Sequence, residues 1–384
     1  MTGLYVHIPF CVKKCAYCDF FSHPPTEGER ESYAEALLRE IKNTDPEGRS
    51  VTSVFFGGGT PSLMGPDLMG RILEALFRRF EIRDDAEISL EANPGTVDLK
   101  SLRALRAMGF SRISLGIQSL EDAELKALGR IHGRKDALEA LKAAAAAGFE
   151  NINADIMTAI PGQSLQSLER TLREVVGTGV QHISCYSLIL EEGTPFYERY
   201  PGGSGLPDED TSVLMDELVR RLLGQVGYGR YEISNYARPG YECRHNLGYW
   251  KRTEYLGFGA AAASLIYKRD GRYRFTAERD ITAYQRDAHL PLSERREAFE
   301  AMRRLTTAEE MEEFMFLGLR CTGGVLAGDF RKFFGRDIFD IYGDVINSAK
   351  EEGLMGYEAS SGRIFLTERG LEVSNRVMAN FLVE

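Results

Sequence analysis

The sequence has 384 residues, of which 43% are hydrophobic and 27% are charged, a balance typical of a globular protein with a large buried core. Its formal net charge of −10 argues against nucleic acid as the main partner, because binding phosphates requires basic patches. The chain contains no run of about 20 apolar residues and no recognisable signal peptide, so we expect no membrane span and no secretion.

The cysteine distribution predicts a reducing compartment. Three of the six cysteines are far apart and are not patterned for disulfides: Cys185, Cys243 and Cys321. Disulfides are rare in the cytoplasm, where thiols stay reduced. We therefore expect a cytoplasmic protein.

The other three cysteines directly follow the first strand-like run, residues 4–8, with C-x3-C-x2-C spacing: Cys11, Cys15 and Cys18. Thiolates this close together are soft ligands for one centre, either an iron–sulfur cluster or zinc. A structural zinc site normally uses four protein ligands, and His7 or His23 is available as the fourth. Buried inert cysteines are a further alternative. The count of three favours an iron–sulfur centre with one open iron.

Further strand-like runs alternate with helical patterns along the first half of the chain. The strands are predicted at 53–56, 87–91, 112–117, 151–156 and 182–187, and helices at 66–79, 99–108, 134–147 and 165–177. The first helix is predicted to begin at a capping box formed by Thr26 and Glu29. Gly109 and Gly148 follow predicted helices, at the position of a left-handed C-terminal cap.

Six strands alternating with helices predict an α/β fold with a parallel sheet, either doubly wound or a partial barrel. Functional groups in such folds gather at the carboxyl ends of the strands. Residues that expose polar or backbone groups follow the successive strands at this edge: the cysteine motif, residues 57–60, Glu91, Gln118, Asp155 and Ile189. We therefore expect a functional site there.

The second half of the chain has a different character. A helix at 206–226 precedes a segment rich in tyrosine and glycine at 228–241, then Arg-His-Asn-Leu-Gly-Tyr-Trp at 244–250 and small residues at 257–264. Further helices are predicted at 310–319, 326–334 and 345–353, a β-hairpin at 356–366 and a last helix at 368–382. This order predicts a winged-helix-like domain. The predicted division is 1–235 for a barrel, 236–290 for a connecting region and 291–384 for the winged-helix-like domain.

The cysteine spacing, with Tyr17 just before the last cysteine, resembles the signature of the radical S-adenosyl-L-methionine (SAM) superfamily. The resemblance implies a partial (β/α)6 TIM-like barrel in which Cys11, Cys15 and Cys18 hold a [4Fe–4S] cluster. It also implies that SAM binds the open iron and is cleaved to methionine and a 5′-deoxyadenosyl radical. The chemistry belongs to the cofactors, and the protein binds them and excludes water.

The string Tyr-Val-His-Ile-Pro-Phe-Cys at 5–11 narrows the resemblance to oxygen-independent coproporphyrinogen III oxidase and its HemW-type relatives, over the whole chain. The resemblance implies SAM contacts at Tyr5, Tyr17 (near the adenine), Gly58, Gly59, Thr60 and Glu91. Residues matching positions that contact a second SAM in the oxidase are Gln118, Arg130, Asp155 and Ile189. For Glu91 and Asp155 the alternative is that they are solvated polar residues at the strand ends.

Three differences favour the HemW-type proteins over the oxidase. Phe20 stands where the oxidase has a further cysteine, the long N-terminal extension of the oxidase is absent before Tyr5, and residues 245–250 match the H-N-x-x-Y-W motif of HemW. The motif implies that His245 is a haem ligand, although a hydrogen-bonded core histidine is the alternative. One departure is Ala263, where relatives usually have a histidine before the serine.

The resemblance therefore implies a haem chaperone that binds haem as cargo and delivers it to haem-requiring proteins such as respiratory enzymes. The alternative is the oxidase itself, in which the deoxyadenosyl radical abstracts hydrogen from a propionate side chain and carbon dioxide leaves. The sequence does not identify the electron donor, the acceptor protein, the number of SAM molecules or the oligomeric state.

Overall fold

The structure is a computed structural model that describes residues 1–295 and 297–382. Its first half consists of six strands, each followed by at least one helix. The strands are β1 (Thr2–Ile8), β2 (Ser50–Gly58), β3 (Glu81–Ala92), β4 (Arg112–Gln118), β5 (Asn151–Thr158) and β6 (His182–Ser187). The helices are α1 (Glu29–Asn43), α2 (Gly65–Arg79), α3 (Leu99–Ala107), α4 (Asp122–Leu128), α5 (Arg134–Ala146), α6 (Leu165–Gly177) and α7 (Pro195–Arg199).

The six strands lie side by side in chain order, and every neighbouring pair is parallel. This is the order expected of the predicted partial barrel, and it confirms the α/β class. Strand β4 is buried along its whole length because helices cover the sheet. Helix α6 buries Leu168, Leu172 and Val175, which share one face at i, i+4 and i+7. The left-handed caps are also confirmed, since φ is +109° at Gly109 and +91° at Gly148.

Six shorter strands extend this sheet at both edges to twelve strands, in the order β12-β11-β10-β9-β1-β2-β3-β4-β5-β6-β8-β7. They are β7 (Gly229–Arg230), β8 (Asn235–Ala237), β9 (Glu254–Phe258), β10 (Ala263–Lys268), β11 (Gly271–Thr276) and β12 (Glu300–Arg304). The helices of this region are α8 (Glu209–Gln225), α9 (Arg244–Trp250) and α10 (Ile281–Asp287). Strand β9 pairs in parallel with β1, so the second half of the chain returns to the strand that precedes the cysteine motif.

The last part of the chain packs around a core of its own. Its elements are α11 (Thr307–Gly318), β13 (Val325–Leu326), α12 (Ala327–Phe334), α13 (Ile338–Glu351), β14 (Met355–Glu358), β15 (Arg363–Leu366), α14 (Glu368–Glu372) and α15 (Ser374–Ala379). The antiparallel pairing of β14 with β15 confirms the predicted hairpin. The single last helix predicted at 368–382 is wrong, because Val373 leaves the helical conformation (φ −113°, ψ 29°) and separates two short helices.

Two further observations concern the extent of these units. The large sheet continues through Arg304, whereas the predicted division placed the start of the last domain at residue 291. That division stays a prediction.

Short 3-10 helices occur at Pro61–Met64, Pro201–Gly203 and Leu292–Glu294. Within 1–295 and 297–382, no helix has the length and apolar character needed to cross a membrane.

Candidate functional site

The cysteine motif lies in a loop between β1 and α1, and backbone hydrogen bonds join the two ends of this loop. The amide of Cys11 donates to the carbonyl of His23 (3.0 Å), and the amide of His23 donates to the carbonyl of Pro9 (2.8 Å). Cys11, Cys15 and Cys18 are all half-buried free thiols. The pairing therefore holds the three thiols at the carboxyl end of β1, where the sequence predicted the site.

Two of the three sulfur atoms accept hydrogen bonds from neighbouring loops. The Thr60 hydroxyl donates to Sγ of Cys11 (3.5 Å), and Nη1 of Arg130 donates to Sγ of Cys15 (3.6 Å). Asn93 links these donors, since its amide nitrogen bonds the Thr60 hydroxyl at 2.8 Å and its oxygen accepts from Arg130. Hydrogen bonds of this kind stabilise thiolates over thiols and tune a bound cluster.

The surroundings of the thiols suit a group that is held by anionic sulfur. Within the described residues, no three His, Cys, Asp or Glu side chains surround one point closely enough for one metal ion. A [4Fe–4S] cluster places each thiolate on its own iron, and the donors from Thr60 and Arg130 suit anionic sulfur. Burial raises the pKa of Cys18.

The glycine loop after β2 approaches β1 so closely that side chains do not fit. A Cβ atom on Gly58, where φ is +113°, would lie 2.5 Å from the ring of His7. A Cβ atom on Gly59 would lie 2.7 Å from the carbonyl oxygen of Phe10. The amide of Thr60 donates to that same oxygen at 2.7 Å. The loop therefore packs directly against β1 and the residues that follow it, and its backbone amides are hydrogen bonded within the protein.

Glu91, at the end of β3, places a buried carboxyl group beside this loop. Its Oε2 accepts from the amide of Gly58 at 3.1 Å. Burial, together with the nearby Asp155, raises the pKa of Glu91 to about 8. Tyr5 and His7 lie next to it, with the Tyr5 hydroxyl 3.0 Å from Nδ1 of His7. Tyr5, His7, Gly58 and Glu91 line one cavity of about 490 Å³.

The remaining predicted SAM contacts lie on neighbouring strand ends. Asp155 accepts from the Asn153 amide (2.7 Å) and the Ser114 hydroxyl (3.2 Å), and burial raises its pKa. The Gln118 side chain accepts from the Tyr186 hydroxyl at 2.9 Å. Asp155 is therefore held by neighbours inside the barrel, unlike the solvated strand-end residue of the alternative interpretation.

Tyr17 and Ile189 differ in their surroundings. The Tyr17 ring meets Phe196 edge to face, with ring centroids 6.1 Å apart, and Arg130 lies close to its hydroxyl. Ile189 follows β6 and is 62% exposed. Neither residue lines the cavity of about 490 Å³. Their predicted contacts with SAM stay predictions.

His245 lies in the first turn of helix α9, and its ring stacks on that of Tyr5 with ring centroids 6.4 Å apart. The buried carboxylate of Glu87 accepts from the backbone amides of Arg244 (3.2 Å) and His245 (3.3 Å) and so anchors the start of the helix. His245 lines a second cavity of about 390 Å³ with Gly3 and Ser53, on the amino-terminal side of Tyr5. The structure therefore does not bring His245 together with the cysteines.

Both ring nitrogens of His245 are hydrogen bonded within the protein. Nδ1 lies 2.9 Å from the Ser53 hydroxyl, and Nε2 lies 2.9 Å from the Tyr249 hydroxyl. The side chain is buried, and burial together with the charge of Arg112 lowers its pKa to about 3. This geometry is that of the hydrogen-bonded core histidine. Iron could bind Nε2 only after the bond to Tyr249 opened, so the ligand role stays a prediction.

Sequence reasoning missed three polar residues of the site. Asn93 bridges Thr60 and Arg130, and its position two residues after Glu91 at a strand end could have indicated a role. His7 supports Tyr5, but the sequence offered it only as a zinc ligand. Arg112 is a buried cation inside the barrel near Glu87 and Asp155. Nothing in the sequence distinguishes it from an exposed arginine at the start of a strand.

Comparisons with known proteins identify the family of this chain. The family model described as the radical SAM superfamily matches residues 5–175, and the HemN C-terminal domain matches residues 305–373. The chain is 33% identical to the haem chaperone HemW of Bacillus subtilis (strain 168), covering 100% of both chains. It is 36% identical to the haem chaperone HemW of Escherichia coli (strain K12), covering 100% of this chain and 98% of the relative.

Among solved structures, the coproporphyrinogen III oxidase HemN from Escherichia coli, described as a radical SAM enzyme, superposes with a TM-score of 0.85. The match covers 100% of this chain and 90% of the oxidase, at 22% sequence identity. At that identity the likeness shows a shared fold. It does not show a shared reaction.

Proposed function

The chain belongs to the HemW family of the radical SAM superfamily, and from this membership we propose that it is a haem chaperone, which binds haem and delivers it to haem-requiring proteins. The observation that carries the proposal is the similarity to curated haem chaperones along the entire chain, at 33% and 36% identity. The similarity includes the last domain as well as the barrel.

A radical SAM protein carries a [4Fe–4S] cluster and SAM, and the cluster supplies the electron that cleaves SAM. We propose that Cys11, Cys15 and Cys18 hold the cluster. The hydrogen bonds from Thr60 and Arg130 to two of these sulfur atoms support the assignment.

We propose that Tyr5, Gly58, Gly59, Thr60 and Glu91 bind the amino-acid end of SAM. Gly58 and Glu91 line the same cavity as Tyr5, and a carboxylate is a suitable partner for an ammonium group. Residues proposed around the rest of SAM, or around a second SAM, are Tyr17, Gln118, Arg130, Asp155 and Ile189. Of these, Tyr17 belongs to the cysteine motif itself, and Arg130 contacts that motif through Cys15.

The alternative function, oxidative decarboxylation of a porphyrinogen, has less support. Phe20 is 67% exposed and lines the cavity where the resemblance places an additional cysteine in the oxidase. An apolar ring cannot replace a thiol in proton or hydrogen transfer. The likeness to the solved oxidase, at 22% identity, concerns the fold.

We place the chaperone in the cytoplasm, with acceptors such as respiratory enzymes. All six cysteines are unpaired, which suits a reducing compartment, and thiolate ligands of a cluster require such conditions. The acceptors would be proteins that need haem and cannot acquire it unaided.

Two measurements on anaerobically reconstituted protein test the proposal. Titration with haem should give a saturable Soret band, and the bound haem should pass to an apo-haemoprotein on mixing. Incubation with coproporphyrinogen III, SAM and a reductant should release no carbon dioxide at enzymatic rates. Decarboxylation at such rates, or absence of saturable haem binding, would contradict the chaperone function.

A further inference from the structure

The cavity of about 490 Å³ extends well beyond the residues assigned to SAM. Beyond those residues its lining includes aromatic side chains: Phe20, which follows the cysteine motif, and Trp250 and Tyr255. Leu265 from β10 and Leu317 from α11 complete this apolar wall. The volume lies within the range of about 300–1,000 Å³ that is usual for small-molecule sites, which are likewise lined mainly by apolar and aromatic groups.

Two arginines stand at the same end of the cavity. Arg274 donates from Nε to Glu313 (2.7 Å) and from Nη1 to the Tyr255 hydroxyl (3.2 Å), so its position is fixed. Arg279 is exposed, and its guanidinium lies 4.1 Å from the centre of the Phe299 ring. Across the described residues, no carboxylate pairs with Arg279. One cation at the cavity therefore has no anionic partner.

The positive charge around Arg274 is only partly neutralised. Three arginines share two carboxylates there: Arg252, Arg272 and Arg274 pair with Glu310 and Glu313. Since Arg279 adds a further cation, this end of the cavity favours an anion. The rest of the cavity differs, because the charged groups there are the carboxyl groups of Glu91 and Asp19.

The two ends are well separated within the sheet. Glu91 lies on β3 and Arg274 on β11, and four strands, β2, β1, β9 and β10, stand between them. Adjacent strands are about 4.8 Å apart. Tyr5 on β1 and Tyr255 on β9 nevertheless stand on paired strands, so a ligand held at the arginine end lies directly beside the SAM residues.

We propose that the end of the cavity formed by Phe20, Trp250, Tyr255, Arg274 and Arg279 binds the haem cargo. The inference rests on the proposed function and specifies its site. The aromatic wall contacts the flat macrocycle, and the arginines pair with the propionate carboxylates. Planar ring systems pack well on aromatic side chains, and the guanidinium group matches a carboxylate in two-point geometry.

The site also accounts for Phe20. A phenylalanine that is 67% exposed at a cavity mouth leaves apolar surface in water unless a ligand covers it. A bound macrocycle would remove that surface from water. Arg279 would exchange its contact with the Phe299 ring for a charge-assisted hydrogen bond.

This site does not include His245, which lines the other cavity. Tyr249 and Tyr255 line both cavities and form the wall between them. The proposal therefore differs from the haem-ligand role that the sequence motif implies for His245. The two can be separated by substitution.

The test compares haem with its dimethyl ester, which keeps the macrocycle and loses both carboxylate charges. Haem should bind the wild-type protein more tightly than the ester. Arg279→Gln should weaken haem binding about tenfold and leave the ester unchanged, because the charge-assisted pair is lost. Phe20→Ala should weaken both ligands alike. Arg269→Gln, on the exposed turn between β10 and β11, is the matched control and should bind both as wild type does.

The outcomes separate this inference from the proposed function. If the wild-type protein binds no haem, both are overturned. If it binds haem but Arg279→Gln and Phe20→Ala bind both ligands as wild type does, the site is wrong and the chaperone function stands. Thermal unfolding of each variant, followed by circular dichroism, shows that the comparison is made between folded proteins.

Discussion

The Tyr249 hydroxyl lies 2.9 Å from Nε2 of His245, one turn away on the same short helix. Ser53, from strand β2, holds the other ring nitrogen at 2.9 Å. Because burial lowers the pKa of His245 to about 3, the imidazole is neutral at physiological pH and can donate to one hydroxyl while it accepts from the other. The ring therefore connects α9 to the barrel.

From this geometry we expect His245→Ala to act on stability and to leave haem binding intact. Removing a buried ring and leaving the two hydroxyls without partners should lower the free energy of unfolding by about 2–4 kcal/mol. The Soret maximum of the haem complex should stay unchanged, as should the haem affinity of the folded fraction. Urea unfolding and haem titration measure these two effects.

Tyr249→Phe is the companion variant, because it frees Nε2 of His245 and keeps the ring. It should bind haem as wild type does. Loss of haem binding in a stably folded His245→Ala would instead identify His245 as an iron ligand.

Cys15→Ala should abolish the broad visible absorbance of the reconstituted cluster. The variant removes a thiolate that Arg130 contacts, and a cluster with two thiolate ligands is poorly held. Cys321→Ala, a half-buried free cysteine outside the motif, should keep the full absorbance. Iron and sulfide analysis supplies the check, since full occupancy in Cys15→Ala would refute the ligand assignment.

The six alternating units were predictable because each signal is local. Strand β4 is short and apolar, and the helices beside it begin and end at capping residues such as Gly109. The edge strands were not predicted, because they have no such local signal. β11 reads Gly-Arg-Tyr-Arg-Phe-Thr, and β12 reads Glu-Ala-Met-Arg-Arg, so both are highly charged. They are strands because they pair with an existing sheet, which a local pattern does not reveal.

The residues of the candidate site also divide into those with a local sequence signal and those placed by tertiary packing. The cysteines and the strand-end carboxyl of Glu91 were predictable from spacing and from the rule that parallel strands gather function at one edge. The surroundings of His245 were not, because Ser53 is 192 residues away along the chain. Its motif predicts a function, but only tertiary packing shows that both nitrogens have partners.

Binding of SAM should tighten as the pH rises from 6.5 to 8. The pKa of Glu91 is raised to about 8, so the carboxyl group is mostly protonated at pH 6.5 and must lose its proton before it can pair with the ammonium group of SAM. Affinity should therefore increase several-fold over this range and fall again above it, because the ammonium group of SAM, with an ordinary pKa of about 7.7–8.0, then loses its own proton. Calorimetry in two buffers of different ionisation enthalpy should detect the released proton.

Glu91→Gln should bind SAM more weakly and with little dependence on pH. Asp98→Asn, which changes an exposed carboxylate at the start of α3, is the control and should follow the wild-type profile. A wild-type affinity that is flat between pH 6.5 and 8 would exclude Glu91 as the group that binds the ammonium.

Gly58→Ala should lower the free energy of unfolding by more than the strain of its backbone conformation alone would. A Cβ atom there meets the His7 ring at 2.5 Å, whereas at Gly148, which also has a positive φ of +91°, it meets nothing within 4 Å. Gly148→Ala should therefore lose about 1–2 kcal/mol from backbone strain alone. Gly58→Ala should lose more, and SAM binding with it, because His7 has to move. Equal losses in urea unfolding would show that the loop accommodates a side chain.

Glu313→Gln should weaken the attachment of the last domain to the barrel. Its carboxylate contacts Nε of Arg274 at 2.7 Å and Nε of Arg252 at 3.5 Å, so it joins helix α11 to the extended edge of the large sheet. All three side chains are largely buried, with 20%, 22% and 5% exposure. The substitution removes the negative charge beside Arg252 and Arg274. Breaking buried ion pairs typically lowers the free energy of unfolding by about 3–5 kcal/mol.

Because Glu313 and Arg274 keep some contact with water, we expect a smaller loss, of about 2–3 kcal/mol in the free energy of unfolding. The pair of Glu74 and Arg78 on α2 is exposed, so Glu74→Gln should change stability by less than about 0.5 kcal/mol. Urea unfolding monitored by Trp250 fluorescence suits the measurement, since Arg320 of the last domain lies 4.4 Å from the centre of that ring. If Glu313→Gln unfolds at the same urea concentration as Glu74→Gln, these ion pairs do not hold the last domain to the barrel.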